Sequence, residues 1–292
     1  ASTDSNSHTC SCPGLYHFIK RGSDVHLASY TDTRLALGGD VSLTLITDQP
    51  AVEVGEIFTR LWLAIYTFEK KFSRFITNSE LSIFNRSAGS MVRVSPEFYS
   101  LLSAAKSMSI KTNSLFNPFI LPMLQRTGYR KSFVKQYEHD RQDDYSNRRV
   151  ASPEELVLRR EFAKIPTDSA LDLGGCGKGY LADMLARDRS LSRVQGYWLS
   201  LGGDVVGGGT DEYGNAWKVR IEDAATPEKM LDYVFPVHAK TFSIATSGVI
   251  SRKGRNGKQL WHHLIDPRTG TAASTDILLA SVHAKSARKK CT

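Results

Sequence analysis

Apolar positions in this chain follow a helical period in some stretches and a strand period in others. Ile57, Leu61, Ile65 and Phe68 share one face of a 3.6-residue repeat, which predicts an amphipathic helix over Ala51–Phe72, closed by Glu69, Lys70 and Lys71. Ser95-Pro96-Glu97 reads as a helix start, a capping hydroxyl followed by proline at the first helical position. Phe98, Leu101, Leu102 and Ala105 then recur at helical spacing. Ser152-Pro153-Glu154-Glu155 reads as a second start of the same kind. Alternation is the other rhythm. Within Leu35–Leu45, Val41, Leu43 and Leu45 alternate with polar residues, as in a strand with one buried face. The second half carries short β-type runs at Tyr197–Leu201, Ala216–Ile221, Tyr233–Val237 and Phe242–Ala245, and ends in an apolar run at Leu278–Ala284. Lys253–Lys258 reads as a hairpin tip, and Asp266-Pro267-Arg268-Thr269-Gly270 as a turn. Helices and strands mix without a steady βαβ rhythm, which favours α+β over a doubly wound sheet.

Residues 1–25 read as a polar tail or lead-in, 26–287 as one domain, and 288–292 as a basic stub. His139–Arg149 is highly charged, has no apolar period, and predicts an exposed loop at about 135–150. The 292 residues, 41% hydrophobic and 23% charged, describe an ordinary globular chain able to bury a sizeable core. No apolar run reaches the roughly 18 residues of a membrane span. Ala1–His8 has no apolar signal core, so no signal or anchor is read there and the compartment stays open. The formal charge of +8 favours an anionic partner. Its arginines and lysines are scattered, with clusters at Arg252-Lys253-Gly254-Arg255 and Arg288-Lys289-Lys290. Without an RNA-binding aromatic motif or finger spacing, nucleic acid is not the expected partner. Cys10, Cys12, Cys176 and Cys291 form neither a metal-finger spacing nor a disulfide framework, and read as free thiols.

Candidate chemistry lies in three segments. Asp172-Leu173-Gly174-Gly175-Cys176-Gly177-Lys178-Gly179-Tyr180 precedes an apolar stripe of Leu181, Met184 and Leu185, and so opens a helix. Glycines let a backbone approach a ligand, helix N-terminal amides attract anions, and Lys178 adds a full charge. A phosphate or pyrophosphate suits that combination; a tight turn with a solvated lysine is the plainer alternative. Gly179 occupies the place of the Ser or Thr of a Walker loop, and the βαβ context of a dinucleotide fingerprint is missing. Trp198-Leu199-Ser200-Leu201-Gly202-Gly203-Asp204 ends a strand in two glycines and a carboxylate, as a bulge, a turn or a close approach to ligand. Thr246-Ser247-Gly248 and His262-His263-Leu264-Ile265-Asp266 place a histidine before a tight turn, as base, metal ligand or plain hydrogen-bond former. A Ser247–His263–Asp266 hydrolase is conceivable, but the Gly-x-Ser-x-Gly elbow is absent.

The ordered set resembles the ApbE family. Ser73-Arg74-Phe75 followed by Asn78-Ser79-Glu80-Leu81 resembles its Ser-x-Tyr and Asp-Ser-Glu-Leu run. Ser114-Leu115-Phe116-Asn117-Pro118 resembles Gly-Ala-Phe-Asp-Pro, and Asp172–Tyr180 resembles Asp-Leu-Gly-Gly-x-x-Lys-Gly-Tyr. Gly202-Gly203-Asp204, Thr246-Ser247-Gly248 and His263–Gly270 resemble the remaining motifs, so the match runs from about Leu35 to Ala287. The resemblance implies an ApbE-like, T-fold-like architecture with mixed, largely antiparallel sheets. It implies magnesium-dependent transfer of FMN from FAD to a Thr or Ser hydroxyl of an acceptor protein, with release of AMP. FAD pyrophosphatase activity or non-catalytic FAD binding is the alternative. By the same resemblance Phe75, Leu115, Phe116, Asn117, Asp172, Lys178, Gly203, Asp204, His263 and Ile265 fall at the flavin site. Lys178 and His263 act in catalysis, and the Gly175 carbonyl faces the metal. Asn117 stands for the usual aspartate, Phe75 for tyrosine, and Leu37-Gly38-Gly39 for Met-Gly-Thr. The family's C-terminal metal-binding Asp has no counterpart in Ser286–Thr292; either the chain is cut short of it or the metal site lacks it.

Overall fold

The computed structural model describes residues 27–132, 143–222, 230–234, 241–250, 252–256 and 259–285. The lead-in before 26, the first half of the predicted charged loop and the basic stub lie outside them. In chain order come β1 (Ala28–Ala36), β2 (Gly39–Thr47), α1 (Ala51–Phe72), α2 (Glu80–Arg86), β3 (Val92–Arg93), α3 (Pro96–Lys111) and α4 (Leu121–Thr127). Next are β4 (Val157–Arg159), β5 (Phe162–Lys164), α5 (Gly174–Leu185), β6 (Gly196–Leu201) and β7 (Asp204–Gly209). The last strands are β8 (Lys218–Glu222), β9 (Met230–Val234), β10 (Phe242–Gly248), β11 (Lys253–Asn256), β12 (Gln259–His262), β13 (Ile265–Asp266), β14 (Thr271–Ala272) and β15 (Leu279–Ala284).

A six-stranded antiparallel sheet in the order β1-β2-β6-β7-β10-β15 organises the molecule. One face carries Val41, Leu43, Leu45, Leu199, Leu201 and Val206, which bury against α1, α3 and α5 in the main core. Ile57, Leu61, Ile65 and Phe68 supply the α1 side, as their spacing predicts. Period 2 sends the intervening residues to the opposite face. There Trp198, Val205, Phe242 and Ile244 pack with Trp217 and Val219. Ser95 caps α3 by accepting from the Phe98 amide at 3.2 Å, and Glu80 grips Ser95 through both its amide and its hydroxyl.

Several sequence expectations need correction. Leu35–Leu45 is not one strand: Leu37 (φ 55°) and Gly38 (φ 82°) turn the chain between β1 and β2, and Ala36 pairs with Gly39. Both central residues at positive φ match a type I′ hairpin. Leucine disfavours that region, but the Leu37 amide donates to the buried Glu69 carboxylate at 2.8 Å, which helps hold it there. The Ser152 start makes its capping box and then only a 3₁₀ turn over Pro153–Glu155. Leu156 is buried and the next residues pair as β4 with β5, so tertiary pairing outcompetes helix extension. Met184 is exposed; Leu181 and Leu185 alone of the predicted stripe are buried. Tyr145 is buried within the stretch read as exposed loop. Of Tyr233–Val237, only its first two residues lie in the described part of β9.

Candidate functional site

The site forms where two hairpin turns lie side by side at one end of the main sheet. β2 pairs with β6, which places the Leu37-Gly38 turn beside the Gly202-Gly203 turn, and the Gly202 amide donates to the Asp40 carbonyl at 2.9 Å. Gly202 (φ 62°) and Gly203 (φ 93°) form the second type I′ turn, closed by the Leu201–Asp204 pair. This explains the Gly-Gly-Asp motif locally: two consecutive residues need positive φ, and glycine reaches it without strain. The turn delivers Asp204, whose Oδ2 lies 3.1 Å from Lys178 Nζ. Lys178 also donates to the Gly202 carbonyl at 3.4 Å.

Lys178 projects from the first turns of α5, which begins at Gly174 as the motif predicts. Asp172 precedes that helix. Its Oδ1 accepts from the Gly174 amide at 2.8 Å, and its Oδ2 lies 2.7 Å from Arg74 Nε. This pair is almost dry, with side-chain exposures of 5% for Arg74 and 12% for Asp172. The guanidinium lies over the Phe75 ring at 4.1 Å and the Tyr129 ring at 4.7 Å, and donates to the Tyr129 carbonyl. Its Nη1 is buried without a hydrogen-bond partner among the described residues. Phe75 joins Tyr129, Trp261, Met123 and the buried Ile265 in an aromatic and aliphatic cluster.

His263 follows β12. Its amide donates to the Arg252 carbonyl at 3.0 Å, and Nδ1 is buried without a partner. Burial first, then the charge of Arg252, then that of Lys178, push its imidazole from the ordinary 6.5 down to about 4. His263 is therefore neutral at physiological pH, the form that accepts a proton. Asp266 does not orient it: both Asp266 oxygens hold Arg268, at 2.9 Å from Nε and 2.7 Å from Nη2. Without that carboxylate the Ser247–His263–Asp266 arrangement lacks the member that would orient the histidine, and the hydrolase alternative loses its basis.

The remaining expected residues divide. The Phe116 ring covers Gly175 so closely that a Cβ there would sit 3.1 Å from it. Leu115 is 60% exposed. Asn117 is buried; it accepts from the Phe119 amide at 2.9 Å and donates to the Ala151 carbonyl at 3.1 Å. An ionised aspartate cannot make the second bond, which gives the asparagine a structural reason. Asn117 also lines an open cleft of about 730 Å³, with Ser114, Met123, Arg126, Arg149 and Pro267. The arginines there are spent: Arg149 holds Glu155 and Asp168, and Arg126 donates to the Ser146 and Arg148 carbonyls. Tyr129 and Arg252 were not expected from sequence; Arg252 stood only in the basic cluster at 252–255, and Tyr129 carried no signal.

Magnesium does not fit the described residues. Among them no three His, Cys, Asp or Glu side chains converge, and Asp172 and Asp204 are committed to Arg74 and Lys178. Gly175 lies in the first turn of α5, where helix geometry directs a carbonyl along the axis toward the amide four residues on. Among the described residues no helix is long and apolar enough to cross a membrane.

This is an antiparallel α+β protein whose sheet end carries a cation-rich site around a neutral histidine. The family model described as ApbE family matches residues 37–289, and the chain belongs to that family. It is 25% identical over 247 residues to the FAD:protein FMN transferase of Klebsiella pneumoniae (strain 342), covering 82% of this chain and 73% of that protein. It is 25% identical over 280 residues to the FAD:protein FMN transferase of Treponema pallidum (strain Nichols), covering 90% and 76%. Among solved structures, the apo flavinyl transferase ApbE of Pseudomonas stutzeri aligns with a TM-score of 0.72 at 20% identity, over 91% of this chain and 82% of that one. The ApbE protein of Thermotoga maritima aligns at 0.74 with 21% identity, over 90% and 84%.

Proposed function

We propose that this protein is an FAD:protein FMN transferase, which moves FMN from FAD to a Thr or Ser hydroxyl of an acceptor protein and releases AMP. The observation that carries this reading is the placement of Lys178 near a neutral, half-buried His263 on an ApbE scaffold. Magnesium belongs to the reading by family resemblance alone.

Lys178 and the N-terminal amides of α5 would bind the diphosphate, the first by charge and the second by the helix dipole. The open cleft beside Asn117, with its arginines already paired, suits an uncharged ring rather than phosphate. His263 would take the acceptor proton on Nε2, because Nδ1 is enclosed. The hydroxyl oxygen bonds to the FMN phosphorus as the bond from that phosphorus to the bridging oxygen breaks. AMP leaves with that oxygen, in line with the attack. Burial of the imidazole keeps it unprotonated and ready, at the cost of a weaker base than an exposed histidine.

The test is incubation with FAD, magnesium and an acceptor protein bearing a flavinylation-type Thr or Ser. Covalently fluorescent acceptor and AMP should form in equal amounts. AMP with free FMN and no labelled acceptor would instead mean a pyrophosphatase, and FAD bound without AMP a binding protein. Lys178→Ala should weaken FAD binding roughly 10-fold or more, the value of one charge-assisted contact. Unchanged affinity by flavin fluorescence would remove Lys178 from the phosphate site.

A further inference from the structure

Two cations flank His263, and only one of them is accounted for by the motifs. Lys178 lies over the Gly202 turn, its Nζ 3.7 Å from where a Cβ on Gly202 would sit. Arg252 lies over the neighbouring Gly38 turn in the same manner, its Nη2 3.7 Å from the Cβ position of Gly38. The two turns are adjacent on paired strands, so the cations occupy matching places at one end of the sheet. The backbone of Arg252 is anchored by the His263 amide and by the β11–β12 hairpin that starts at the next residue. The charge of its guanidinium acts on Tyr129, whose ionisation is disfavoured first of all by burial. The carboxylates of the site are taken: Asp172 holds Arg74 and Asp204 holds Lys178. Among the described residues Arg252 forms no ion pair.

We propose that Arg252 is a second phosphate-binding residue, gripping the diphosphate of the dinucleotide from the side opposite Lys178. This rests on the flavin-transferase reading and deepens it. Glycine takes the positive φ that the turn needs at position 38 without strain, and that turn lies within van der Waals reach of the guanidinium. A guanidinium fork presents two parallel donors to phosphate oxygens, which a lysine cannot do. A diphosphate between Lys178 and Arg252 would lie beside His263, where an attacking hydroxyl needs its base.

The test compares FAD with riboflavin, which has the ring system but no phosphate, using the full chain and flavin fluorescence. Arg252→Gln should weaken FAD binding roughly 10-fold or more and leave riboflavin affinity within about two-fold. Arg252→Lys should lie between, roughly three-fold weaker for FAD alone, since charge remains and the fork is lost. It also decides the matter if the glutamine variant fails to fold. Equal losses for FAD and riboflavin would show that Arg252 only supports the fold, and no loss for either would show it idle; both overturn the proposal while leaving the flavin site intact. Absence of FAD binding by the unaltered protein would overturn the transferase reading itself, and the proposal with it.

Discussion

Arg74→Met is expected to destabilise the protein by about 3–5 kcal/mol, because it strands the Asp172 carboxylate in a site where water cannot replace the lost partner. Two aromatic faces cover the guanidinium, Asp172 receives one amide, and the pair is shut from solvent. Attraction between the charges therefore offsets a large desolvation cost, and removing one partner leaves that cost exposed. Thermal denaturation should show a fall in Tm on the order of 10 °C for a domain of this size. The double variant Arg74→Met, Asp172→Leu should recover most of the loss, since a buried ion pair is often replaceable by apolar groups of similar volume. FAD affinity should not recover with it, because Asp172 also sets the entry to α5 through the Gly174 amide. An unchanged Tm for the single variant would mean that Asp172 stays hydrated and the pair contributes nothing.

His263→Ala should slow transfer by roughly 10²–10⁴-fold, the usual range for a lost general base, while FAD binds within about three-fold of the unaltered protein. Rapid-quench measurement of AMP release at saturating FAD separates these effects. The pH dependence follows from the depressed imidazole value of about 4. The base is already neutral above pH 5, so this limb of the rate profile should be flat from there to pH 8 and fall only toward pH 4. A limb near 6.5 would mean that His263 is solvated in the working enzyme. Stability carries the same sign. The unfolded chain takes up the proton near pH 6.5 and the folded chain near 4, so the contribution is complete above 6.5. It is lost as pH falls through that window, by on the order of 3 kcal/mol. The alanine variant should lose this part of the pH dependence, as urea denaturation at pH 7 and pH 4.5 would reveal.

Elements with a long, one-sided pattern are legible in the sequence. Ala51–Phe72 has both its ends and its buried face written in its period, because a helix's inward residues are set by local geometry. The same holds for Ser95-Pro96, whose cap bond forms within four residues. The Asp172–Tyr180 segment was readable as a helix start with a lysine on it, since glycine, helix and charge lie in one short stretch. Ser152-Pro153 misled for a matching reason. Its local signal is real and its capping box forms, but a strand partner distant in sequence competes for the residues that follow.

Local order thus decided helix starts, strand alternation and the family motifs, because each depends on neighbours within a few residues. Partnership was decided by the fold alone. Arg74 and Asp172, Lys178 and Asp204, Arg252 and Tyr129 are far apart along the chain and meet only through the sheet order and the helices packed on it. A charge's worth depends on which opposite charge it meets and how much water stays between them, and no linear pattern carries either quantity. For that reason the motifs announced Lys178 and His263, while the half-buried, neutral state of that histidine and the place of Arg252 beside it emerged only from the folded chain.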